Sequence, residues 1–120
     1  MLKFAIPVVR VSSAAAAERF FGGLGFEQVF SMRADDSKPD PCYMSFRRDD
    51  AVLHVSSFPG DGAAGTAVYV AVDSADDLHR EFVGKGIEID TGPIDQDWGT
   101  REMYVKDADR NSIRFTQHLA

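Results

Sequence analysis

Sliding the chain along itself by sixty-one positions brings its two halves into register without a gap. Val9 then meets Val70, Val11 meets Val72, Ser13 and Ala14 meet Ser74 and Ala75, Arg19 meets Arg80, and Phe21 meets Phe82. Gly23 and Gly25 meet Gly84 and Gly86, Glu27 meets Glu88 and Tyr43 meets Tyr104, while Val52 and Ile113 agree in type. Matches that fall on glycine and apolar positions at one offset mark a duplicated structural unit, because turns and cores fix those positions. At 120 residues the chain has room for about one core. The expectation is a single domain, 1–120, built of two repeats of about 1–60 and 61–120.

Each copy reads as βαβββ, an α+β arrangement. Ile6 to Val11 and Ala67 to Val72 are β-branched and apolar, as buried strands are. Ser12 or Ser13, and Asp73 or Ser74, can cap the helices that follow, expected at Ala14 to Leu24 and Ala75 to Lys85. Ala17, Phe20, Phe21 and Leu24 form one stripe; Ala75, Leu78 and Phe82 form the other. Gly25 and Gly86 stop them. Three strands follow in the first half at Phe26 to Met32, Cys42 to Arg47 and Ala51 to Ser57. In the second half they fall at Ile87 to Ile89, Arg101 to Lys106 and Ser112 to Gln117. Arg33 to Pro41, Phe58 to Gly65 and Gly92 to Gly99 read as loops.

The net charge of −6 argues against nucleic acid, whose phosphates need clustered Lys and Arg. No apolar run reaches the ~18 residues of a membrane span, and the first residues lack a signal-peptide stretch, so a cytoplasmic protein is expected. A lone cysteine, Cys42, excludes an internal disulfide and a Cys-based zinc site, and reads as strand packing.

Three stretches resemble one family. The first is Ile6 to Val11 with Arg19-Phe20-Phe21-Gly22-Gly23-Leu24-Gly25-Phe26 after it. Next comes Ala67 to Ser74 leading into Asp77-Leu78. The most specific is Gln96-Asp97-Trp98-Gly99-Thr100-Arg101-Glu102, running on to Lys106-Asp107-Ala108-Asp109-Arg110-Asn111. On these the chain resembles the vicinal-oxygen-chelate (glyoxalase, bleomycin-resistance and dioxygenase) superfamily, most of all its bleomycin-resistance proteins. Asp97 stands where that group usually has proline, and Arg110 where it has a turn glycine, a place where a side chain resists positive φ. The resemblance implies two βαβββ modules in a half-open, curved mixed sheet around a ligand cavity, and a homodimer.

It also implies where a divalent metal would sit in the enzymes of the superfamily: on the first and last strands, at about Ile6, Ala67, Leu53 and Arg114 here. None is a ligand type, and of their neighbours only His54 coordinates strongly. With about three protein ligands needed, neither metal nor cofactor is expected. No nucleophile elbow or phosphate loop is present.

Alternation then selects the ligand-facing residues. If Ile6 and Ala67 face inward, so do Val8, Arg10, Tyr69 and Ala71, with Leu53 and Val55 beside them and Arg114 opposite Leu53. Trp98, the only tryptophan, is the expected stacking surface, with Phe30 and Met32 as partners. Asp35 and Asp36, together with Asp40, Asp95 and Asp97, would give an acidic rim suited to a planar, cationic, bleomycin-like compound. The expected function is metal-independent drug sequestration, conferring antibiotic resistance without catalysis. The alternative is a glyoxalase- or dioxygenase-like enzyme with atypical ligands.

Overall fold

The computed structural model describes residues 1–120. Its elements run β1 (Val8–Arg10), α1 (Ala14–Gly23), β2 (Glu27–Arg33), β3 (Cys42–Arg48), β4 (Ala51–Ser56), β5 (Ala67–Ala71), α2 (Ala75–Gly84), β6 (Thr91–Asp95), β7 (Thr100–Lys106) and β8 (Ser112–His118). The order is βαβββ twice. It divides into two compact units, Met1–Thr66 and Ala67–Ala120, each with its own four-stranded mixed sheet and helix.

In the first unit the strand order is β1-β4-β3-β2, with β1 parallel to β4 and the other pairs antiparallel. The Ser13 hydroxyl accepts from Ala16 N and starts α1. Gly25, at φ +87°, ends it, and a Cβ there would lie 2.8 Å from Arg48 Nη1, which donates to Leu24 O. Helix α1 sets Ala14, Ala17, Phe21 and Leu24 against one sheet face, where Phe21 stacks on Phe46 with 5.2 Å between ring centroids. That face holds Val9, Met44, Phe46, Leu53 and Val55, all buried. Burying a phenylalanine in such a core contributes about 1.5–3 kcal/mol.

The second unit repeats the plan as β5-β8-β7-β6, again with one parallel pair, β5 and β8. The Ser74 hydroxyl accepts from Asp77 N. Asp76 and Asp77 add negative charge at the positive end of α2. Phe82 meets Phe115 edge to face over Val68, Met103, Val105 and Ile113. No helix is long and apolar enough to cross a membrane.

Three expectations change. The sixth strand lies at Thr91–Asp95, beyond the Ile87 to Ile89 read from the sequence and inside the stretch taken as loop. Its Gly92-Pro93 pair, normally a breaker, sits in a bulge of an edge strand, where proline is tolerated. A Cβ on Gly92 (φ +91°) would lie 2.2 Å from Glu102 O, so only glycine lets β6 approach β7 there.

Arg110 also adopts positive φ, +66°, and so keeps the turn that a glycine would make. The Asp107 carboxylate fixes it by accepting from Asp109 N, Asn111 N and Asn111 Nδ2.

The repeat, finally, is not gap-free. Val8 pairs with His54 and Tyr69 with Arg114, so the partner of Arg114 in the first unit is His54, not Leu53. Ser45 pairs with His54 and Tyr104 with Arg114, so Tyr104 corresponds to Ser45, not Tyr43. The loop from Asp107 to Asn111 and the tight turn at Asp49 and Asp50 differ in length, and each difference shifts the register. A one-residue shift in a strand exchanges its faces.

Candidate functional site

Each sheet has one face under its helix and one face without helix cover. In the first unit the uncovered face carries two cross-strand rows, Val8, His54, Ser45 and Phe30, then Arg10, Ser56, Tyr43 and Met32. In the second the rows are Tyr69, Arg114, Tyr104 and Thr91, then Ala71, Thr116, Glu102 and Ile94.

Leu53, expected on the ligand side, lies on the helix side at 2% exposure, paired with Phe46; Val55 is there too. The register shift is the reason, and His54 takes the uncovered position. Its Nδ1 is 2.7 Å from the Tyr43 hydroxyl, and the rings meet edge to face. Arg10 donates to Phe58 O.

Phe30 and Met32 lie on the uncovered face of β2 at 54% and 49% exposure. Every residue of that strand is exposed, and Val29 bulges out of register. Asp35 and Asp36 follow on the exposed loop. Asp35 accepts from Ser37 Oγ at 2.7 Å and Ser37 N at 2.9 Å, and these bonds hold its carboxyl below the usual carboxylate range. Asp40 turns toward the protein, its Oδ1 accepting from Ser57 Oγ at 2.6 Å and Ala14 N at 2.9 Å. Cys42 is buried, and that burial pushes its thiol up, away from nucleophilic use.

The second unit draws its polar groups into one network around Glu102. This carboxylate is only 6% exposed. Its Oε2 accepts from Thr100 Oγ1 and, at 3.0 Å, from Trp98 Nε1; its Oε1 accepts from the Tyr104 hydroxyl at 2.6 Å. Thr100 and Tyr104, then Trp98 and the charge of Arg114, hold the Glu102 carboxyl low against the opposing effect of burial. The same bond to Glu102 raises the Tyr104 phenol. The Arg114 guanidinium lies over the Tyr104 ring, 4.6 Å from its centroid, and Tyr69, next to Arg114 in the register, hydrogen-bonds His118 through its hydroxyl.

Trp98 itself is 69% exposed, in the turn between β6 and β7. A large apolar ring is thus held at the surface by a bond from its polar edge to a buried charge. Asp95 beside this turn is tied to Arg101 at 2.7 Å, so the acidic rim there is partly neutralised.

The network links Trp98 and Arg114 within the second unit, with Tyr69 beside Arg114 in the register, while Phe30, Met32, Asp35, Asp36 and Leu53 belong to the first. Sequence reasoning missed Glu102, Tyr104 and Thr100. Alternation was the available signal: positions 100, 102 and 104 share a face two residues on from Trp98.

The uncovered residues of the opening and closing strands do not fit a divalent metal. They are Val8, Arg10, His54 and Ser56 in one unit and Tyr69, Ala71, Arg114, Thr116 and His118 in the other, so each unit offers a single strong donor, and His118 is engaged with the Tyr69 hydroxyl. Glu102 is the only further carboxylate on the uncovered rows given above, and no three His, Cys, Asp or Glu side chains cluster.

The model of a family described as glyoxalase superfamily proteins matches residues 1–120. No curated protein matches the chain. Among solved structures it is similar to a bleomycin-binding protein complexed with bleomycin, at TM-score 0.76 and 23% identity over 98% of this chain and 99% of that one. It is similar also to a bleomycin resistance determinant encoded on the transposon Tn5, at TM-score 0.76 and 24% identity over 98% of each chain. A glyoxalase/bleomycin resistance protein from a Streptomyces species gives TM-score 0.73 and 22% identity, over 96% of this chain and 100% of that one. At these identities the likeness shows the fold, which is the bleomycin-resistance type of the vicinal-oxygen-chelate architecture.

Proposed function

The chain belongs to the glyoxalase superfamily, and from that premise we propose that it binds a planar, cationic compound of the bleomycin kind without altering it. One observation carries the reading: Trp98 presents its ring to solvent while its indole N–H is fixed on a buried carboxylate. An exposed aromatic ring held in one orientation loses little freedom when a flat ligand stacks on it, so more of the contact energy appears as affinity. Tyr69 and Arg114 extend the same face of the second unit; Phe30 and Met32, with Asp35 and Asp36, are proposed as a ligand-contact surface of the first unit by itself.

The bleomycin complex of the similar solved protein supports this ligand class. We place the protein in the cytoplasm as a homodimer. The uncovered apolar side chains of β2, Val29, Phe30 and Met32, support the dimer, since a strand exposed along its whole length is suited to burial against a second copy. The alternative, a superfamily enzyme with rearranged ligands, would have to build its centre on one histidine in either unit, His54 of β4 or His118 of β8, as the only strong donor of the opening and closing strands there.

Calorimetry of metal-free bleomycin with wild-type protein and Trp98→Ala tests the proposal. Saturable heat in the wild type, reduced by about tenfold or more in affinity in the variant, is the expected result. Equal binding by both proteins would remove Trp98 from the site, and no binding by the wild type would end the reading.

A further inference from the structure

A clamp for an exposed tryptophan needs only a neutral acceptor, such as a backbone carbonyl or a glutamine. This site uses an ionised carboxylate, 6% exposed, with both oxygens occupied by donors. Burying a charge is costly, so the charge has a consequence of its own to be sought. We infer that Glu102 gives the Trp98 face a preference for planar cations over neutral rings of the same size; this rests on Trp98 being the stacking surface.

The physical basis is short-range. An aromatic face is negative and its edge positive. When the indole N–H donates to a carboxylate, the anionic charge lies at the ring's positive edge and pushes electron density toward the faces. The faces then attract a cation more strongly. At 3.0 Å from Nε1 the carboxylate is bonded directly to the ring that a ligand would touch. Its low exposure leaves it less screened by water and salt than the exposed Asp97 next to Trp98. Arg114 works in the opposite sense, but its guanidinium lies on the Tyr104 ring, one residue further along the network. The direct hydrogen bond therefore decides the sign.

The test uses quinoline and N-methylquinolinium, two flat probes of nearly equal size that differ in charge, titrated into the full chain and followed by ligand-observed NMR. Wild-type protein is expected to favour the cation by about two- to fivefold. Glu102→Gln keeps the size and an acceptor for the indole but loses the charge, and its preference should fall by about twofold or more, to what the indole face gives unaided. Should that variant not fold, the wild type still decides the matter in about 1 M salt. A preference due to Glu102 persists there, whereas one due to exposed Asp residues is screened away.

If Glu102→Gln weakens both probes alike and leaves their ratio unchanged, Glu102 only positions the ring. The inference then fails while the stacking reading stands. Equal binding of the probes to wild type and Trp98→Ala would overturn both.

Discussion

The two units share a plan on one side of their sheets and part company on the other. Beneath the helices the pairs Phe21 and Phe82, Val9 and Val70, and Met44 and Met103 hold like residues in like places. On the uncovered faces, His54 corresponds to Arg114, Tyr43 to Glu102 and Ser45 to Tyr104. The first unit makes there a Tyr43–His54 contact and bonds from Arg10 to Phe58 O and from Ser56 to Asp61, and leaves Phe30 and Met32 bare. The second builds a charged network that ends in a fixed tryptophan. Packing constrains one face of each copy, while the other is free to acquire chemistry. Divergence between copies of a repeat therefore points to function more directly than their agreement does.

The largest effects should be those that the units share. Phe21→Ala and Phe82→Ala each empty a fully buried ring site and should cost about 3–5 kcal/mol in urea unfolding. A marked inequality between them would break the equivalence of the two cores. Next comes Glu102→Ala, which strands three donors and should cost about 2–3 kcal/mol. Its counterpart Tyr43→Phe loses one bond and should cost about 1 kcal/mol. Comparable costs would mean that the network does not distinguish the units.

The pH dependence sharpens the same contrast. The carboxyl of Glu102 sits below its ordinary value in the fold, so its contribution is whole above about 4.3 and is lost as pH falls through the lower folded value. Thermal unfolding measured across acid pH should fall less steeply in Glu102→Gln than in wild type. Parallel curves would remove Glu102 from the acid response. The smallest effect is local: Arg110→Gly should stabilise the turn before β8 by about 1 kcal/mol, because the left-handed backbone already present costs glycine nothing. A loss of stability there would show that the arginine side chain contributes more than its backbone costs.

Much of this was legible in the sequence. Both helices and seven of the eight strands follow from apolar spacing and the repeat, because those signals are local, and each cap, Ser13 and Ser74, is one of the two neighbours the sequence offered. Thr91–Asp95 escaped, since a bulged edge strand admits Gly92 and Pro93, the very residues that read as loop. Leu53 went to the wrong face because a single offset was carried across hairpins of unequal length, a nonlocal property no alternation reveals. Trp98 was singled out by its motif. Its anchor was not, because the value of Glu102 depends on three side chains converging from positions 98, 100 and 104.

The most direct test of the central claim is a titration of Trp98 fluorescence with metal-free bleomycin, run with and without EDTA. Trp98 is the only tryptophan, so the signal comes from the proposed site alone. The account predicts saturable quenching that EDTA leaves unchanged. Emission that stays constant while calorimetry reports binding would place the ligand elsewhere and contradict it.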